Sequence, residues 1–354
     1  MKPKERVLRS FSHKTPDRVP LDYVAVPEVN NLLMERLALP DLEALLRRLQ
    51  IDFRHLDKWG TMVPEYVGPD FLRHADGTTE DIWGCRVKTV EYRPGCFYEE
   101  WVNPPLAKAA SVREIEKHRW PDPDWYDFSR VADFCRRHDE YCLVGGRGAT
   151  LDMVGFFRGM EQAMFDLYDN PILAEAITDK IFEFQYEYNR RLLAAAGGQL
   201  NILFFSEDMG GQNSLVVSRK MLQKYVFPKL KKYAELAHRN NALAMLHSDG
   251  AVREIIPELI DLGIDIINPV QPECPGMEPA GLKKDFGDKI CFHGVLDSQK
   301  LLPFGTPREV AEEIKRLAEV MGVNGGFAIS PNCGFQVDVP VENILKVYGT
   351  VTGE

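Results

Sequence analysis

The chain has 354 residues, 45% of them apolar, and a formal net charge of −10. That length can bury one large core or two smaller ones, and the negative balance argues against a general nucleic-acid binder, which needs a basic face for phosphate. No window approaches the ~18 uninterrupted apolar residues of a membrane span, and the N-terminal MKPKERVLRSFSHKTPDRVP has charges but no apolar signal core. The seven cysteines (Cys85, Cys96, Cys135, Cys142, Cys274, Cys291 and Cys333) are odd in number and scattered, with no C-x-x-C. Reduced thiols and a cytoplasmic protein are the expectation.

The opening stretch KPKERVLRSFSH predicts a helix stopped by Thr15-Pro16. Short apolar runs then alternate with longer helical patterns. The runs are VPLDY (19–23), IDFRHLD (51–57), YCLVGG (141–146), ILFFSED (202–208), ALAMLHSD (242–249), IDIINP (264–269), KICFHG (289–294) and GFAISPN (326–332). Several are near-continuous apolar, as parallel strands buried on both faces should be. Between them, stretches such as EQAMFDLYDNPILAEAITDKIFEFQYEYNRRLLAAAG and PREVAEEIKRLAEVMG carry helical periodicity. Alternating strand and helix implies right-handed βαβ units. Eight such units predict a closed (β/α)8 TIM barrel, α/β in class, as one domain over residues 1–354. No G-x-G-x-x-G follows a strand, so a dinucleotide fold lacks its best signal.

Residues 60–105 break the pattern. Asp76-Gly77 is a turn signal, and RVKTVEY and CFYEEW read as short paired strands around Arg93-Pro94-Gly95. This β-rich insertion lies over one end of the barrel either as a decorative loop or as a lid. The clustered aromatics Trp83, Tyr92, Phe97, Tyr98 and Trp101 suit a lid.

In a parallel barrel the active site lies at the C-terminal strand ends. The polar residues that end the runs are Asp22, His55, Asp57, Arg147, Glu207, Asp208, His247, Asp249, Asn268, His293, Asp297, Asn332 and Cys333. Two residues apart on an extended segment, His247 and Asp249 point to the same side and can share a metal ion. The competing reading makes Asp249 the cap of a helix starting near Val252. Cys333, in the loop SPNCGFQ, is either a small buried hydrophobe or a soft ligand suited to zinc. Glu207-Asp208 offers a capping group or salt bridge on one reading, and a metal ligand with a neighbouring base on the other. A His/Cys/carboxylate set (His247, Cys333, Glu207, Asp249) with an open position describes catalytic zinc better than a closed structural site.

The stretches FFRGMEQAMFDLYDNP, SEDMGGQNSLVVSRKMLQKYVFPKLKKY, LHSDGAVREIIPELIDLGIDIINPVQ, LKKDFGDKICFHGVLDSQKLLPFGTPREVAEEI and GGFAISPNCGFQVDVPVENI resemble the uroporphyrinogen decarboxylase superfamily, particularly its cobalamin-dependent methyltransferase branch. The N-terminal ERVLRSFSHKTPDRVPLDY and WPDPDW are similar to it as well, so the resemblance covers nearly the whole chain. It implies a (β/α)8 barrel, in agreement with the strand count. True decarboxylases of the family carry an arginine-rich loop after the first strand; this chain reads LDYVAVPEVNN there, with no arginine for a substrate of many carboxylates. The methyltransferases hold zinc with a His-x-Cys pair and a late cysteine. His247 matches that histidine and Cys333 the late cysteine, Glu207 is the acidic candidate, and Asp249 stands where the first cysteine would be.

The resemblance therefore implies a zinc-dependent methyltransferase. It would move a methyl group between a small methylated compound, an O-methyl ether by preference (O-demethylation), and the cobalt of a separate corrinoid protein that carries methylcobalamin or cob(I)alamin. Asp208, His293 or Tyr23 would protonate the leaving group, and Asp22, Arg147, Asn268 and Asp297 would bind substrate. Self-association as a homodimer is a further expectation. The alternative is a metal-free decarboxylase or lyase of the same superfamily, with Asp22 and His293 as acid–base groups and Arg147 as carboxylate anchor. A non-catalytic binding barrel is the third reading.

Overall fold

A computed structural model describes residues 1–56, 62–93 and 96–353. Its strands, in chain order, are β1 (Phe53–His55), β2 (Glu65–Tyr66), β3 (Thr79–Glu80), β4 (Arg86–Arg93), β5 (Cys96–Asn103), β6 (Tyr126–Asp127), β7 (Cys142–Gly145), β8 (Ile202–Ser206), β9 (Leu243–His247), β10 (Ile266–Asn268), β11 (Cys291–His293) and β12 (Phe327–Ala328). Seven of them form one parallel sheet in the order β1-β7-β8-β9-β10-β11-β12. Helices lie between successive strands, among them Leu151–Arg158, Met160–Asp169, Pro171–Ala196, Phe227–Arg239 and Pro307–Met321.

Seven of the eight apolar runs contain one of these strands. The first, VPLDY, forms bridges rather than a strand, and it ties the two sheet edges together. Leu21 pairs in parallel with Ile329; Asp22 N–H donates to the Ile329 carbonyl, and Asp52 N–H donates to the Leu21 carbonyl. A regular ladder fails for two local reasons. Pro20 has no N–H, and Leu21 N–H is taken by the Asp52 carboxylate at 2.9 Å.

The sheet is buried on both faces. Phe53, Cys142, Val144, Ile202, Met245, Ile266, Cys291 and Ala328 form an inner cluster with Val7 and Phe11 of helix Pro3–Phe11. Their alternates Leu143, Leu203, Phe205, Leu246, Ile267, Phe292 and Phe327 pack outward on the helices. This period of two dictates the site. Counting in steps of two from the inner residues reaches His55, Ser206, His247, Asn268 and His293, the last residues of their strands, so their side chains face the same interior. Register then sets them side by side: Ser206 is opposite His247, and His247 opposite Asn268.

The helical patterns are realised with local stop signals. The long pattern after β7 splits at Asn170-Pro171, where proline begins a new helix. Pro307–Met321 starts on a capping box between Thr306 and Glu309. The insertion is β-rich as expected, an antiparallel β3-β4-β5 sheet, while β2 pairs with β6. Pro94 and Gly95 of its expected turn, and the strand-end candidate Asp57, lie outside the described residues. No helix among the described residues is long and apolar enough to cross a membrane.

Candidate functional site

A cavity of about 290 Å³ opens at the C-terminal ends of the parallel strands. Asp22, His55, Ser206, His247, Asn268 and His293 line its polar side, Phe204, Met245 and Val24 its apolar side, and the loop Ser330–Gly334 closes round it. The size is at the small end for ligand sites.

Five polar groups form a chain across the mouth. Asp22 is 1% exposed and takes contacts from His55 Nε2 at 3.0 Å and His293 Nε2 at 3.0 Å. His293 Nδ1 meets Asn268 Nδ2 at 2.8 Å, and Asn268 Oδ1 meets His247 Nδ1 at 2.8 Å. Burial pushes the Asp22 carboxyl up, but the charge of His55 and the hydrogen bonds from His293 and His55 outweigh it and hold the group below the usual carboxylate range. An ionised carboxylate only accepts. His293 therefore carries its proton on Nε2 and accepts on Nδ1; Asn268 donates to it and accepts from His247. His247 is left with Nδ1–H and a lone pair on Nε2, the arrangement that outer hydrogen bonds impose on a metal-binding imidazole.

That lone pair faces two carboxylates. His247 Nε2 is 3.6 Å from Asp208 Oδ1 and 4.0 Å from Asp249 Oδ1. One ligand atom from each of Asp208, His247 and Asp249 falls within 4.8 Å of the others. The loops after β8 and β9 are pressed together to achieve this. Asp249 N–H donates to Asp208 Oδ1 at 3.0 Å, and Ala251 N–H donates to the Gly211 carbonyl. Gly250, at φ +83°, touches Gly210 so closely that a Cβ would fall on its backbone.

The short helical turn Arg253–Ile255 after β9 is entered through Val252 with no side-chain cap, so Asp249 does not serve as the cap of that turn. Its Oδ1 is buried without a hydrogen-bond partner. Burial pushes the Asp249 carboxyl up; His247 opposes this and Asp208 adds to it. An imidazole lone pair beside two carboxylates, one oxygen of them orphaned, is a donor set that fits a divalent cation.

The structure distributes the other expected residues differently. Glu207 is not among the three. It is 1% exposed, and its carboxylate accepts from Thr150 N–H at 2.8 Å, the Thr150 hydroxyl at 2.5 Å and Asp152 N–H at 3.0 Å. It thus serves the N-terminus of helix Leu151–Arg158, whose N–H groups and dipole favour an anion. Its neighbour Asp208 is the carboxylate that joins His247 and Asp249 in the candidate metal-binding group.

Cys333 lines the cavity wall but is outside the three-residue group. Its thiol is pushed up to about 11, first by desolvation and then by the charge of Asp249, with a smaller push from Asp208. The Arg147 guanidinium lies over the Tyr126 and Tyr188 rings, at 4.7 and 4.4 Å, and donates to the Tyr126 hydroxyl. The Tyr23 hydroxyl donates to Asn30 at 2.7 Å in the core, and burial pushes this phenol up. Asp297 accepts from Gln299 and Lys300 N–H and faces a different hollow beside Glu273.

One participant carries little signal in sequence. Asp152 accepts from Asp208 N–H at 2.7 Å, and its carboxyl is pushed up to about 8 by burial and by Glu207. The string TLDM marks only a helix start. Asn332, noted as a strand-end residue, braces the Cys333 loop by accepting from Ser298 and from Cys333 N–H, while its Nδ2 is buried without a partner.

The Uroporphyrinogen decarboxylase (URO-D) family model matches residues 95–353, and the chain belongs to that family. Membership implies a TIM barrel, in keeping with a parallel sheet whose edges are bridged by residues 20–22. Among solved structures, a methyltransferase from Methanosarcina mazei matches with a TM-score of 0.66 at 17% identity, over 100% of this chain and 99% of that one. At that identity the likeness is one of fold. A search of curated proteins finds no match.

Proposed function

We propose that this chain, as a closed (β/α)8 barrel, is a zinc-dependent methyltransferase of the corrinoid type. The methyl group moves between a small methylated compound, by preference an O-methyl ether, and the cobalt of a corrinoid carried by a separate protein. One observation carries the reading: the His247 Nε2 lone pair is aimed at Asp208 and Asp249, whose Oδ1 is buried and orphaned. Asp208, His247 and Asp249 would hold the ion, which supplies Lewis acidity at the heteroatom bearing the methyl group.

The chain's own groups do the rest. Asn268 and His293 hold the His247 ring in orientation and tautomer. Phe204, Met245 and Val24 give the methyl-bearing end a surface that excludes water. Of the groups expected to protonate a leaving oxygen, Tyr23 is engaged in the core and Asp208 stands in the metal group. That task falls to His55, whose protonated imidazole the Asp22 carboxylate would stabilise, while His293, accepting at Nδ1 from Asn268, holds Asp22 from the other side. The corrinoid partner docks at the mouth, beside the β3-β4-β5 sheet acting as lid. A homodimer and a cytoplasmic setting belong to the same proposal.

Asp22 between two imidazoles also suits the second reading, a metal-free decarboxylase or lyase. Against it, no arginine or lysine lines the cavity among the described residues, and Arg147 is packed on tyrosines. The test is metal analysis of protein purified without chelators, together with the change in cob(I)alamin absorbance on adding methoxylated compounds. The reading expects about one ion per chain and methylation that stops on chelation. No bound metal after zinc add-back would sink it, and decarboxylation by the metal-free protein would establish the rival.

A further inference from the structure

A second cavity, of about 500 Å³, lies between the β3-β4-β5 sheet and helix Leu151–Arg158. The proposed reaction makes no use of it. Its walls include four aromatic side chains, Phe71, Trp83, Trp101 and Phe156. Trp101 stacks on Phe156 with ring centroids 4.3 Å apart, and Phe71 and Trp101 remain 46% and 44% exposed. Large aromatic surface kept open to solvent in one hollow marks a binding site better than a packing defect.

Carboxylates share these walls. Asp81 Oδ1 accepts from Trp83 and Cys85 N–H at 2.9 Å, and its Oδ2 accepts from the Trp101 indole at 3.3 Å. Those bonds fix the charge against the aromatic wall. Glu99, two residues before Trp101 on β5, projects from the same face of the strand. Glu80 is occupied by His74. Neither Asp81 nor Glu99 forms an ion pair, and no lysine or arginine lines the cavity, among the described residues. Burial pushes the Asp81 carboxyl up, the hydrogen bonds from Cys85, Trp101 and Trp83 oppose it, and Glu99 adds a smaller upward push; no cationic side chain on the cavity wall balances the pair among the described residues.

We infer that this cavity binds an alkylated ammonium group, a small organic cation whose charge is spread over methyl groups. Such a cation supplies the missing charge, loses little hydration on entering, and meets the faces of tryptophan and phenylalanine favourably. A neutral apolar ligand would bury the two carboxylates further with no return. A primary ammonium would shed more water than these few acceptors replace. A bare divalent ion prefers converging oxygens to aromatic walls.

Choline is the probe, with its neutral carbon isostere, in which a tert-butyl group replaces the trimethylammonium, as the control. Trp83 and Trp101 report binding by fluorescence, and calorimetry gives the affinity. Saturable choline binding is expected, ~10-fold tighter than the isostere. Glu99→Gln should weaken choline several-fold and leave the isostere unchanged. Trp101→Ala should abolish binding. Affinity should persist after chelation, so loss of the metal reading leaves this result standing. Equal affinity for the isostere, no saturable choline binding, or an unaffected Glu99→Gln variant would each overturn the inference.

Discussion

Replacing Asn268 by alanine removes the one residue that joins His247 to His293. Two hydrogen bonds of 2.8 Å are lost. His247 keeps its position at the end of β9, but its Nδ1–H has no acceptor, and the tautomer with the proton on Nε2 becomes competitive. That tautomer presents N–H, not a lone pair, to Asp208 and Asp249. A net hydrogen bond is worth about 1 kcal/mol, and freedom of the ring adds to the loss. Outer-sphere losses of this kind weaken metal binding ~10- to 100-fold, or about 1.4–2.8 kcal/mol. The assay is competition for zinc between the metal-free protein and a chromophoric chelator. Asn268→Asp is the control, because its carboxylate still accepts from His247 Nδ1–H and should keep most of the affinity. Unchanged affinity in Asn268→Ala, or an equal fall in both variants, would refute the tautomer argument.

Three further outcomes follow from the same geometry. His247→Ala should empty the centre by elemental analysis, whereas Cys333→Ser should keep its metal, since the thiol is outside the three-donor group; loss in Cys333→Ser would make the thiolate a ligand. Asp152 gives a pH dependence. Its native carboxyl, pushed up to about 8, lies well above the ordinary aspartate value of about 3.9, so between those values the native state keeps a proton that the unfolded state releases, and stability falls as pH rises. Asp152→Asn, which can still accept from Asp208 N–H, should therefore lose less stability than the parent between pH 5 and 8, by on the order of 1–3 kcal/mol in denaturant titrations; parallel curves would contradict the assignment. Gly250 and Gly77 share a φ of +83°, but a Cβ meets the Gly210 backbone at one and open space at the other. Gly77→Ala should cost about 1 kcal/mol and Gly250→Ala several times that, with metal affinity lost only in the second; similar melting shifts would show that the two loops are not locked together.

Much of the scaffold was legible from apolar periodicity. Residues Ile202–Ser206 and Leu243–His247 are strands because they are apolar runs of the right length between helical patterns, and burial on both faces leaves such segments no other stable place. Period-two counting along those strands also aims His247, Asn268 and His293 inward, which is why strand-end polarity was informative. The paired strands of the insertion followed from their turn signals. Alternation stops where the strand stops, and there sequence reasoning lost its hold. Glu207 and Asp208 are adjacent carboxylates of nearly equal chemistry. Only the approach of helix Leu151–Arg158 decides that Glu207 caps a helix and Asp208 meets His247 and Asp249.

The same holds for residues whose roles depend on distant partners. Arg147 looked like a free anchor, but Tyr126 and Tyr188 come from other elements and cover it. Tyr23 ends a predicted strand, yet its hydroxyl turns to Asn30. The question of Asp249 as ligand or cap was settled against a cap on the following turn, because no helical N–H there receives its side chain. The sequence by itself determined the class of fold, the family resemblance and the place of His247, because these rest on local pattern. The tertiary structure decided which carboxylates converge and which proton each imidazole holds, because those follow from contacts between loops far apart in the chain.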